Sequence, residues 1–416
     1  MSRITSKHQG LIGLLTAIIT ACVLLSAEIA RAQETGGDLG GGAGIFRPKN
    51  PETKRTTNPV KPTGPTKPRP TGPSAAEIDA KFEAALDAGN DARDARKFTL
   101  AEQSYRAASR LKPRDARGAY GLGNVFTDQQ RWEDAEKAYR QAVEISPANA
   151  DALVALSFVL VQPRTGASNA KMFTEAESFA RRATQLQPNN AVAFDRMGVA
   201  MMTRGIFNAD TEAAFRRAVE LDPNFVVAEM HLARVLRHMN RYNEADPLYK
   251  DAVARAGDAR TLVLIADAMQ AEQSWNYSES VLRRALEMDA RNPGALFLLG
   301  RFLVVKHNYA DAEPVLKRAI EVNPKGFQAY NLLGRAYLGL ERYDEAFKTY
   351  ESGVEFASPA DRKQLAGAFG FAGVADGYMN AGRPRDAVRA YDRALQLDPG
   401  NAELQAKAAA ARAKSE

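Results

Sequence analysis

The chain has 416 residues, 45% of them apolar and 25% charged, a composition typical of soluble protein and enough chain for about two to four domains. A single cysteine, Cys22, and four histidines, His8, His231, His238 and His307, exclude a disulfide framework and make a cysteine/histidine zinc site untenable. The formal charge of +6 is carried by the N-terminal part, because from residue 75 onward 46 basic groups face 46 acidic ones, so no nucleic-acid partner is expected of a domain without a basic face.

Residues 1–32 combine Arg3 and Lys7, an uncharged run from Leu11 to Leu25, and Ala30-Arg31-Ala32 before Gln33. This is the pattern of a secretory signal peptide with cleavage before Gln33. The run falls short of the roughly 20 residues a membrane span needs, so the expected location is outside the cytoplasm, in the periplasm. Ile19-Thr20-Ala21-Cys22 also resembles a bacterial lipobox, against which Val23-Leu24-Leu25 continue the apolar stretch. The alternative is therefore a membrane-anchored lipoprotein. Membrane association is expected only if Cys22 is lipidated or the signal is left uncleaved.

Residues 33–74 are rich in glycine, then in proline, with eight prolines between Pro48 and Pro73. So few large apolar groups cannot offset chain entropy, which predicts a disordered linker. Its proline part favours polyproline II, about 3.1 Å per residue, and makes a semi-stiff spacer. Its basic side chains suit a tether for anionic surfaces or plain solvation, and both readings are open.

From residue 75 a breaker follows each helical run at Pro113, Pro147, Pro188, Pro223, Gly257, Ala290, Pro324, Ser358 with Pro359, and Pro399. The spacings are 34, 41, 35, 34, 33, 34, 34 and 41 residues, so the unit is 34 and two units carry seven more. This pattern resembles the tetratricopeptide repeat, with Gly123, Phe126, Ala135, Tyr139, Ala142 and Pro147 in the second unit and Gly334, Tyr337, Ala346, Tyr350 and Gly353 in the eighth. Tyr378, Ala387, Tyr391, Ala394 and Pro399 carry it in the ninth. Thr211 and Ser278 depart from the alanine of the second helix, and Ala180, Leu282 and Leu316 from its aromatic. The resemblance implies an all-α fold, a right-handed superhelical solenoid of about nine helix pairs over residues 75–399, closed by a capping helix within 400–416.

Mid-helix glycine costs about 1 kcal/mol relative to alanine, so its recurrence at 123, 198, 300 and 334 predicts close crossing beneath the aromatic of the second helix. The seven extra residues at 162–168 predict a protruding loop, and those around 362–371 a lengthened first helix. His231 and His238, seven apart on one helix, lack further ligands, and no phosphate loop or nucleophile with a histidine partner is present. No enzyme activity, metal or cofactor is expected.

What remains is recognition. The family's first helices line the concave face, and the residue after the small one points into it: Asn90, Asn124, Phe158, Val199, Arg234, Asp267, Arg301, Arg335 and Asp376. The candidate partner-binding residues are Asn124, Arg234, Arg237, Phe297, Arg301, Asn331 and Arg335. An Arg–Asp–Arg ladder that serves only the fold is the competing reading of the arginines. The expected function is a non-catalytic scaffold or adaptor of the bacterial cell envelope that binds an extended peptide or partner protein. The alternative is an accessory protein that binds glycan or guides polymer in polysaccharide secretion.

Overall fold

The structure is a computed structural model that describes residues 47–53, 74–162, 170–271 and 275–416. The signal segment 1–32, Cys22, most of the linker and the loop expected at 163–168 lie outside the described residues. Among the described residues there are twenty helices and no strand. No helix there is long and apolar enough to cross a membrane.

The helices fall into two compact units, Met1–Arg255 and Ala256–Glu416. The first unit contains α1 (Ala75–Asp94), α2 (Phe98–Leu111), α3 (Ala116–Asp128), α4 (Trp132–Ile145), α5 (Ala150–Leu160), α6 (Ala170–Leu186), α7 (Ala191–Thr203), α8 (Ala209–Leu221), α9 (Val226–His238) and α10 (Tyr242–Arg255). The second contains α11 (Ala259–Ala271), α12 (Trp275–Met288), α13 (Pro293–Val305), α14 (Tyr309–Val322), α15 (Phe327–Gly339), α16 (Tyr343–Val354), α17 (Pro359–Leu365), α18 (Phe371–Asn380), α19 (Pro384–Leu397) and α20 (Ala402–Ser415). Within each unit the two helices of a pair pack as a hairpin, and first helices also meet one another, α1 with α3, α7 with α9, and α11 with α13. The fold is an all-α solenoid of helix pairs.

Two local devices recur. First helices begin on short polar caps: the side chains of Asp115, Asn149, Asn190, Asn292 and Asn401 accept backbone N–H groups that the first turn would leave unpaired. Within a pair the chain turns through one left-handed residue, at Arg96, Gln130, Asn240, His307 and Glu341 with φ between 56° and 61°, and at Gly205 and Gly382. These positions repeat with the period of the sequence.

The predicted close crossings are present. A Cβ on Gly198 would stand 2.6 Å from the ring of Phe215, and on Gly123 or Gly334 it would run into Tyr139 or Tyr350. The departures from the family pattern are also accommodated. Thr211 is buried where alanine was expected, and its hydroxyl donates to the Ile206 carbonyl at 2.9 Å. Leu316, in place of an aromatic, fills the space beside Gly300.

Two expectations are corrected. The insertion before α18 does not lengthen that helix. It forms the separate α17, started by a capping box at Ser358 and Asp361, and the chain breaks over 366–370 before restarting at Phe371. Gly370 takes φ −140° and ψ −136°, and a Cβ there would collide with the Leu365 carbonyl. The reading of 33–74 as a structureless spacer also fails over residues 47–52, which lie against α1 and α3. At the other end, α20 buries Leu404, Ala408 and Ala411 along one stripe and packs on α19.

Candidate peptide-binding face

The first helices α1 and α3 form a face backed by tyrosines of the second helices. Tyr105 Oη donates to Asn90 Oδ1 at 2.7 Å, and Tyr139 Oη to Asn124 Oδ1 at 2.8 Å. Burial pushes the pKa of both phenols up, so each keeps its proton and remains a donor. With its oxygen engaged in this way, each amide directs Nδ2 to the opposite side. Asn90 Nδ2 donates to the Pro51 carbonyl at 3.0 Å, and Asn124 Nδ2 to the Lys49 carbonyl at 2.8 Å.

Two arginines complete the row. Arg93, 1% exposed, binds the Asp128 carboxylate through Nε and Nη2 at 2.7 and 2.9 Å. Its Nη1 then donates to the Pro48 carbonyl at 2.7 Å and to Asn50 Oδ1 at 2.9 Å. Arg117 is fixed by Glu83 and Asp115 and donates to the Glu52 carbonyl at 2.8 Å. Around the segment, Arg47 pairs with Asp94 at 2.9 Å and approaches Asp128 at 3.6 Å, while Asn50 Nδ2 donates to Asp94 at 3.0 Å. Pro48 and Pro51 are buried, whereas Arg47, Lys49 and Glu52 are exposed. Four backbone carbonyls of a short peptide are thus held by four side chains. Charge-assisted bonds of the arginine kind are about twice as strong as neutral ones.

Of the residues expected to bind a partner, Asn124 holds a carbonyl of this chain's own Lys49, and its counterpart Asn90 holds that of Pro51. Arg93, Arg117 and Asp128 were missed. The signal that could have found them is an Arg and an Asp standing 35 residues apart on successive first helices, close to the repeat length.

The other candidates are divided between the units. In the first, Arg237 pairs with Asp246 at 2.7 Å and covers the ring of Tyr242 at 5.0 Å. Arg234 lies near His238, whose pKa is lowered by burial and by that arginine. In the second unit, Arg301 binds Asp267 at 3.0 Å and Gln270 at 2.9 Å, and its guanidinium stands 5.9 Å from the half-buried ring of Phe297. That contact is a rung of the Arg–Asp ladder. Asn331 is buried on α15, and Arg335 on the same helix lies over Phe369, whose side chain is exposed, at 4.8 Å.

The two histidines of α9 serve packing and pairing. His231 Nδ1 is 2.7 Å from the buried Asp195, and His238 stacks on Phe207 at 3.9 Å between ring centres. Among the described residues no group of three His, Cys, Asp or Glu side chains could hold a metal ion.

Family models described as tetratricopeptide repeat match residues 86–150, 230–257, 303–362 and 368–401. Together with the helix pairs and the small-to-aromatic crossings at the 34-residue period, these matches decide the family. The chain is a tetratricopeptide repeat protein. No curated protein matches it. Among solved structures, yeast Tom70 superposes with a TM-score of 0.55 at 17% identity, covering 80% of this chain and 69% of that one. PilF of Pseudomonas aeruginosa gives 0.41 at 20% identity over 51% of this chain and 94% of its own. MamA of Desulfovibrio magneticus RS-1 gives 0.37 at 15% identity over 42% and 94%. At these identities the likeness to Tom70 is one of fold. In this tetratricopeptide repeat chain, the side chains on α1 and α3 are specific features that the fold alone does not supply.

Proposed function

We propose that this protein is a non-catalytic scaffold or adaptor of the bacterial cell envelope, holding an extended peptide or protein partner on the first helices of its repeats. The observation that carries this reading is the grip on residues 48–52, where Asn90, Arg93, Asn124 and Arg117 each donate to a backbone carbonyl. Backbone carbonyls are common to all polypeptides, so such a row suits a chain held extended. Tetratricopeptide repeat proteins in general bind protein or peptide partners, which supports the same reading. Arg234 and Arg335 are the further candidate contacts, each within its own unit.

The envelope setting rests on the signal-like residues 1–32. Mass spectrometry of the exported protein is expected to find its N-terminus at Gln33, and a species starting at a lipidated Cys22 would place it on a membrane instead. The partner class is tested by photo-crosslinking residues placed at Arg234 and Arg335 in producing cells, with the second-helix position Lys317 as control. Polypeptide adducts from the first two positions, and not from the third, are expected. Adducts of carbohydrate without polypeptide would overturn this reading in favour of the accessory protein that binds glycan or guides polymer.

A further inference from the structure

Residues 47–52 are held on α1 and α3 by more than their backbone. Arg47 sits between Asp94 and Asp128. Pro48 and Pro51, three apart, are both buried, as expected for a polyproline II segment, whose three residues per turn bring them to the same side. Lys49 between them is exposed, so its side chain is not selected. Asn50 is bonded through both ends of its amide, by Arg93 at 2.9 Å and to Asp94 at 3.0 Å. The segment runs antiparallel to both helices, from Asp94 and Asp128 at their C-terminal ends towards Glu83 and Arg117. Along either helix that distance is eleven residues, about 16 Å, and five residues of polyproline II cover about 15 Å. The two lengths agree.

We infer that the face of α1 and α3 is a receptor for peptides of the pattern Arg-Pro-x-Asn-Pro, and that residues 47–51 occupy it as a built-in competitor for a partner protein bearing that pattern. The inference rests on the peptide-binding reading above and names the ligand for this part of the array. Each selected position meets a matching group: two carboxylates for the Arg, buried sites for the prolines, and a donor and an acceptor for the Asn. Sequence alone supplies a graded probe, since Arg55-Thr56-Thr57-Asn58-Pro59 keeps the Arg, the Asn and the final Pro but not the first Pro. The docked segment is joined to α1 by residues 54–74. A short tether gives an effective concentration on the order of 1 mM, so a partner of equal intrinsic affinity has to exceed that to displace the segment.

The experiment uses the mature chain and a released variant carrying Arg47→Ser, Pro48→Gly, Asn50→Gly and Pro51→Gly. A fluorescent peptide with the sequence of residues 45–54 is titrated into each. The released variant is expected to bind at least about tenfold more tightly than the unaltered chain, a peptide of residues 53–62 more weakly, and a scrambled peptide not at all. Adding Asn124→Leu to the released variant is expected to weaken binding about tenfold, with helicity checked by circular dichroism. Because Asn124→Leu alone can disturb folding, trypsin cleavage after Lys49 is also timed in the unaltered chain. That cleavage is expected to be slow relative to the same bond in the peptide, and to accelerate when excess peptide with Gln in place of Lys49 is added. Equal binding by released and unaltered chains, or unprotected cleavage at Lys49, overturns the inference. If it is overturned while crosslinks at Arg234 and Arg335 persist, the broader peptide-binding reading stands without it.

Discussion

Asp195 on α7 has no exposed surface and lies between Arg196 and His231, with the His231 ring tilted against Phe215. Burial by itself would raise its pKa, but the charges of Arg196 and His231 and their hydrogen bonds outweigh that, and it is pushed down to about 2. A carboxylate whose folded pKa lies below its unfolded value of roughly 3.9 contributes stability that is complete above that value and is lost as pH falls through about 2. The difference corresponds to roughly 2–3 kcal/mol. Asp195→Asn is therefore expected to reduce hydrogen-exchange protection of α7 and α9 by at least that amount at pH 7, and by little near pH 2. A loss of the same size at both pH values would show that the charge is not what matters. The sequence displayed His231 but gave no sign of its partner, because Asp195 lies 36 residues away. At this scale the legible part was the spacing of small and aromatic residues. The hydrogen bonds from Tyr105 and Tyr139 were not, since a phenol at a core position looks the same whether or not its hydroxyl has work to do.

The helix pair owes its geometry to the left-handed residue at its turn. For an L-residue that conformation costs roughly 1–2 kcal/mol, yet Glu341 adopts it at φ 58° while Gly382 fills the equivalent turn at φ 70°. Glu341 is exposed, so Glu341→Gly relieves the backbone without removing a packed side chain, and is expected to stabilise the α15–α16 pair by about 1 kcal/mol. Gly382→Ala is expected to do the reverse by a similar amount. Local exchange protection of the two pairs measures both, and an unchanged Glu341→Gly pair would sink the argument. The sequence marked the breakers that close each pair but not the turns within pairs, since Arg96, Gln130 and His307 are not residues that announce a left-handed position. The insertion near 362–371 was legible only as a length. Seven extra residues do not reveal whether they extend a helix or start a new one, and Gly367 and Gly370 were the overlooked signs of a break.

Within each unit a helix pair meets mainly its neighbours, so stability is distributed along the repeats rather than shared by one core. Gly334→Leu would drive a side chain into Tyr350, an overpacking worth roughly 1–3 kcal/mol or more. Exchange protection is expected to fall in α15, α16 and adjoining helices of the second unit while α3 and α4 keep theirs. A uniform loss from α1 to α20 would contradict this picture. The all-α repeat architecture was legible because its signal recurs nine times, whereas of the face on α1 and α3 only Asn90 and Asn124 were, because the segment lying on it is composition-biased and no periodicity joins it to those helices. That segment has a further consequence, in the order of events during synthesis. Residues 47–52 leave the ribosome before Asn90, Arg93, Arg117 and Asn124 exist, so the face is completed with its occupant already present on the same nascent chain. In a newly made molecule the peptide nearest these donors is the chain's own, and the first foreign peptide to reach them must win the place from it.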